Sequence, residues 1–82
     1  MKSVPPDSPE TAAIDALETF GLSTYASETY LMLAKNGTST AREVSENTTV
    51  PRTRVYDAVD ELADLGVVET TPDSPKQFTA LD

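Results

Sequence analysis

Neither cysteine nor histidine occurs in this chain of 82 residues. Their absence removes disulfides, thiolate and imidazole metal ligands, and the usual nucleophile–base pairs of covalent catalysis. Serine and threonine are plentiful, yet without histidine no serine-hydrolase relay can be assembled. No glycine-rich phosphate loop is present either, and no catalytic, cofactor or metal site is expected. Apolar runs fall well short of the roughly 20 residues that cross a bilayer, and the start of the chain lacks a signal-peptide core. No membrane association is expected, and a cytoplasmic location is the natural reading. Positive charge is also scarce, with 6 bases against 14 acids and a net charge of −8.

What charge there is follows a pattern. Four of the bases, Lys35, Arg42, Arg52 and Arg54, lie in one stretch whose only acids are Glu43 and Glu46. That stretch carries +2 and the remaining sequence −10. A further base, Lys76, follows a turn cluster near the end. Domains that grip phosphate backbones are normally basic. An acidic chain with a positive island therefore fits either a DNA-binding domain adapted to a high-salt, halophilic cytoplasm or a module that binds no nucleic acid.

Glycine is used sparingly, and each of the 3 residues stands where a helix should stop. Two prolines stand where helices should begin, with Ser8-Pro9 as N-cap and first helical residue and Pro51 opening a later helix. The punctuation predicts four helices. The first spans about Pro9–Phe20, with Ile14, Leu17 and Phe20 on its inner face. The second spans Thr24–Asn36 under a Ser23 cap, with Ala26, Tyr30, Leu31, Leu33 and Ala34 inward. The third begins at the capping box Thr40-Ala41-Arg42-Glu43 and ends at Asn47, with Val44 buried. The fourth, about Pro51–Leu65, buries Val55, Val59, Leu62 and Leu65. Its acids Asp57, Asp60, Glu61 and Asp64 read as a solvated face.

Beyond it, Val67–Thr71 and Gln77–Ala80 form a hairpin around Pro72-Asp73-Ser74-Pro75. Residues 1–8 read as a disordered tail, and residues 9–82 as one domain. Its expected class is α+β, mainly α: a winged helix-turn-helix of four helices and a C-terminal β-hairpin wing.

Two helices joined by four residues, with cations at the start of the second, are laid out to place a recognition helix in the DNA major groove. Arg52 and Arg54 are donors suited to guanine and phosphate. Thr53 can reach bases or phosphates, and Tyr56 offers a hydroxyl and a flat ring. Two cations at the positive end of a helix dipole imply an anion nearby. Thr40 and Arg42, at the start of the third helix, are candidates for a backbone phosphate. Lys76 and Gln77 are candidates in the wing, and Pro51 completes the set.

From Phe20 to Leu81 the chain resembles the N-terminal DNA-binding domain of the TrmB-type, sugar-responsive archaeal transcription regulators. The resemblance rests on Gly21-Leu22-Ser23, Tyr25, Glu28, Val50-Pro51-Arg52 and Arg54-Val55-Tyr56-Asp57, Leu65-Gly66-Val67-Val68-Glu69 and Pro75-Lys76. It implies a dimer on a pseudo-palindromic DNA site, with the fourth helix in the major groove. The double helix is the expected partner, and the first helix is the best candidate for a homodimer contact. An acidic protein-interaction module is the alternative.

The chain departs from the family pattern in three ways. Thr49 stands where the turn usually has glycine, so either a β-branched residue takes an awkward conformation or the turn is altered. Ser74, Gln77 and Thr79 stand where family members often carry arginine. Typical members also continue into a coiled segment and an effector-binding domain, and no sugar pocket is expected within these 82 residues. The chain reads either as an excised N-terminal domain or as a small stand-alone regulator.

Overall fold

The capping box at Thr40 organises the middle of the molecule. The Thr40 hydroxyl accepts from the Glu43 amide at 3.2 Å, and the Glu43 carboxylate accepts from the Thr40 amide at 2.8 Å. This box starts a helix, Ala41–Asn47, immediately after a two-residue strand, Ser39–Thr40. A computed structural model describes residues 9–81, apart from the side chain of Glu10. The expected tail at residues 1–8, with its Ser8 cap, lies outside the described residues.

The elements run α1 (Pro9–Thr19), α2 (Thr24–Asn36), β1 (Ser39–Thr40), α3 (Ala41–Asn47), α4 (Arg52–Asp64), β2 (Val68–Thr70) and β3 (Gln77–Ala80). They form the expected mainly helical α+β fold, with one addition. The hairpin β2–β3 is joined by β1 into a three-stranded antiparallel sheet in the order β1-β3-β2. Ser39 pairs with Phe78 and Thr40 with Gln77. The Thr38 and Thr79 hydroxyls meet in a hydrogen bond beside this pairing.

The central helix is α2, which packs on α1, α3, α4 and β3. Ser23 caps it, accepting from the Ala26 amide at 3.1 Å. Gly37, at φ 83°, closes it and donates its amide to the Leu33 carbonyl at 2.9 Å; an L-residue enters that backbone region only with strain. The core gathers Ala26, Met32 and Leu33 of α2, Ala41 and Val44 of α3, Val50, Val55, Ala58, Val59 and Leu62 around α4, and Val68 and Phe78 of the sheet.

Three expected core positions are corrected. Phe20 is 85% exposed. The helix ends one residue before it, and its amide turns back to the Leu17 carbonyl at 3.1 Å. Leu65 is 59% exposed because it caps α4 at the point where the chain leaves the helical path. Ala34 is exposed as well. The inner side of α2 instead includes Ser27, Thr29 and Met32. Ser27 satisfies its hydroxyl on the Ser23 carbonyl at 2.9 Å.

Candidate nucleic-acid interface

The connection between α3 and α4 is Thr48-Thr49-Val50-Pro51, and two threonine side chains shape it. The Thr48 hydroxyl donates to the Val44 carbonyl at 2.7 Å and accepts from the Val50 amide at 3.1 Å. This folds the turn back on α3 and buries Val50. Thr49 offers both its groups to one carboxylate of α2: its amide lies 3.0 Å from Glu28 Oε1 and its hydroxyl 2.6 Å from Oε2. No described residue other than glycine has positive φ. Thr49 is therefore free of left-handed strain, and Glu28 fastens the turn to α2.

Pro51 is the N-cap of α4 rather than its first residue, and no side chain caps the helix. Proline has neither an amide hydrogen nor a polar side chain to do so. The first turn therefore presents its positive dipole end uncompensated, with no acid among its residues. Arg52, Thr53 and Arg54 are exposed there. The buried stripe of Val55, Ala58, Val59 and Leu62 leaves Thr53, Asp57 and Asp60 pointing outward.

Tyr56 sits on the wing-side edge. Its ring meets Phe78 edge-on, with centroids 5.9 Å apart and planes at 82°. The ring is thus partly committed to packing, while the residue remains 48% exposed. Arg54 sits on the opposite edge, where it lines a cleft of about 310 Å3 with Tyr25, Asp57 and Glu61. Its guanidinium is 3.4 Å from the Asp57 carboxylate, with both side chains largely exposed.

The sheet register brings the wing base to α3. Gln77 opens β3 opposite Thr40, and its backbone closes the wing loop through Thr71: the Thr71 amide donates to the Gln77 carbonyl at 2.8 Å. Lys76 is exposed beside it. No ion pair joins Arg52 or Lys76 to another described residue. Thr40, Gln77 and Tyr56 thus gather around the start of β3, with Arg52 on the same edge of α4 as Tyr56, and Arg54 stands apart on the far edge.

One expected contact loses support. The capping box already satisfies the start of α3, and Arg42 points its Nε at Glu46, 3.1 Å away. Nor is the acidic side of α4 wholly a solvated face. Glu61 accepts from the amide and the hydroxyl of Ser23, both at 2.8 Å, and so ties α4 to the start of α2. Local sequence carries no signal for Glu28 or Glu61, because each reaches across more than twenty positions to its partner. Their pattern, a carboxylate facing a Ser or Thr amide and hydroxyl, emerges only once the helices are packed. Among the described residues no acidic group is arranged to hold a metal, and no helix is long and apolar enough to cross a membrane.

Comparison with known proteins places these features in a family. A family model described as the sugar-specific transcriptional regulator TrmB matches residues 17–82. The HTH-type sugar sensing transcriptional regulator TrmBL1 of Pyrococcus furiosus is 34% identical over 73 residues, which span 89% of this chain and 21% of that protein. Among solved structures, TrmBL2, described as an archaeal chromatin protein with a novel mode of DNA binding, superposes with a TM-score of 0.85 at 24% identity. That likeness is one of fold, and it covers 92% of this chain and 29% of the other. The chain thus spans about a fifth of the curated relative it matches. The matched stretch takes in the turn, the uncapped α4 and the wing just described, and on that footing the chain belongs to the TrmB family of transcriptional regulators.

Proposed function

We propose that this chain is a sequence-specific, double-stranded DNA-binding module of a transcription regulator, working in the cytoplasm without catalysis. Residues 9–82 act as one unit, with α4 entering the major groove by its first turn and the wing, residues 67–80, lying on the backbone or minor groove. The observation that carries this reading is the start of α4: exposed Arg52, Thr53 and Arg54 on an uncapped helix end. That end offers positive charge from both side chains and backbone, so an anion is the ligand it suits best. Arg52 and Arg54 read bases or phosphates, Thr53 and Tyr56 add hydroxyls, and Pro51, Lys76 and Gln77 border the interface. Thr40 positions α3 through its cap, and Arg42 becomes available to a phosphate by releasing Glu46.

Membership in a family of transcriptional regulators favours the same reading. A homodimer would place two such helices about 34 Å apart, one turn of the duplex. That arrangement compensates for the small number of cations on each copy.

One observation favours the acidic-module alternative: Arg42 and Arg54 each have a carboxylate partner in their own helix. Both pairs are largely exposed, and exposed pairs are worth only about 0–1 kcal/mol. They yield readily to a phosphate, so DNA remains the better-supported partner.

Selection of binding sites from random duplexes in concentrated potassium chloride tests the proposal. The expected result is one enriched motif whose affinity drops in Arg52→Ala and in Arg54→Ala, by about 1–3 kcal/mol where the arginine reads a guanine. Absence of an enriched motif, or unchanged affinity in both variants, overturns it.

A further inference from the structure

The two most conspicuous exposed apolar side chains lie together, at the end of the domain away from the proposed DNA face. Phe20, 85% exposed, follows α1, and Leu65, 59% exposed, caps α4. Together with Leu22, they line an open notch of about 460 Å3 whose remaining wall includes Ser23, Glu61 and Asp64. Leaving such large apolar groups in water is unfavourable unless something covers them.

The electrostatics of the notch state what that cover must be. Two carboxylates line it and no base does. Helices α1 and α4 both end at it, and neither has a basic residue in its last turn. Glu61 is met by Ser23 at the positive start of α2, which leaves Asp64 and the negative ends of α1 and α4 as the charge facing an occupant. A second copy offering the same surface would bring like charges together, and a nucleic acid or an anionic membrane would be repelled.

We propose that this notch docks a basic, apolar-faced segment of a partner protein. Apolar side chains of the segment enter between Phe20 and Leu65, and flanking Lys or Arg residues meet Asp64 and the negative ends of α1 and α4. With 13 residues in α4, each rising about 1.5 Å, Leu65 stands about 20 Å from Arg52. DNA and the partner can thus be held at once, on opposite ends of one helix. The inference does not depend on the DNA reading, since the residues involved are different.

The probe is a fluorescent synthetic peptide that forms an amphipathic helix with leucines on one face and lysines flanking them. A glutamate-for-lysine version with the same leucines serves as its counterpart. Fluorescence anisotropy against the full chain should show the lysine peptide binding and the glutamate peptide failing to bind. Leu65→Asp and Phe20→Ser should each weaken the lysine peptide by roughly tenfold or more, the loss of a central apolar contact. Both residues are exposed, and circular dichroism verifies that the fold is kept. Asp64→Lys should weaken the lysine peptide and strengthen the glutamate one, while Arg52→Ala should change neither.

Equal binding by Leu65→Asp and the parent chain reduces the effect to diffuse surface charge and overturns the proposal. So does sedimentation showing a dimer that Phe20→Ser converts to monomer, because the occupant is then a second copy.

Discussion

Helices α3 and α4 are neighbours joined by four residues, yet they are secured in opposite ways. The shorter, α3, carries its own fastening, with a reciprocal capping box and an acidic residue in its first turn. The longer, α4, has no side-chain cap, no acid in its first turn and no base in its last. Arginines occupy its positive end and aspartates its middle and negative end, each placement opposing the helix dipole by an amount on the order of 0.3–1 kcal/mol. What holds α4 is tertiary: four buried apolar residues on one face, and the Glu61–Ser23 contact to α2. A helix maintained against its own end electrostatics is one whose charges serve something other than stability. On the proposed function, that contrast is the one expected between a supporting helix and a reading helix.

The contrast can be broken most forcefully at the buried face of α4. Leu62 is fully buried, and Leu62→Ala should cost about 2–5 kcal/mol through lost contacts and the cavity left behind. In a domain this small that is much of the total stability. Urea titration in molar potassium chloride should show a large fall in midpoint, and a shift of only a few tenths of a kcal/mol would mean that α4 is held by other means.

Next comes the supporting helix. Thr40→Ala removes the cap of α3 and should destabilise the domain by about 1 kcal/mol. The same substitution applied to the Pro51 cap position of α4 should cost much less, because no side-chain cap bond is lost there. Comparable losses at the two positions, in the same urea assay, would erase the difference between the helices.

A smaller effect has the sharper meaning. Arg52→Glu places a favourable charge at the start of α4 and should raise stability by about 0.3–1 kcal/mol while abolishing DNA binding. Opposite movements in calorimetry and in anisotropy are the signature of a residue kept for its ligand.

The smallest expected effect is in salt dependence. With few cations facing the duplex, log affinity should fall with log salt less steeply than the slope of about −10 found for a strongly basic repressor. A slope that steep would imply a larger cationic footprint than Arg52, Arg54 and Lys76 provide.

Much of this architecture was legible in the sequence because its signals are local. Glycine after a helix, Ser23 and Thr40 as caps, and the proline-rich turn between two β-rich stretches each act within a few residues. The limits are just as physical. Periodicity extended the buried stripes of α1 and α4 to Phe20 and Leu65, but periodicity continues on paper past the point where a chain turns. Strand β1 is two residues long and has no pattern of its own; its pairing with β3 exists only in the folded chain. At the candidate interface, residue types and helix position marked Arg52, Thr53 and Arg54. The sequence could not show that Tyr56 leans on Phe78, that Arg42 faces Glu46, or that Glu28 holds the turn.

Thr40 belongs to two elements at once, as the last residue of β1 and the cap of α3. No spacer residue lies between strand and helix, and on the strand side Thr40 is paired to Gln77 at the base of the wing. In mechanical terms the joint has no play. A tilt of the wing base is delivered directly to the first turn of α3, and through the short connection to α4. Wing base and α3 thus share one residue, and the four residues from Thr48 to Pro51 are all that stands between them and α4.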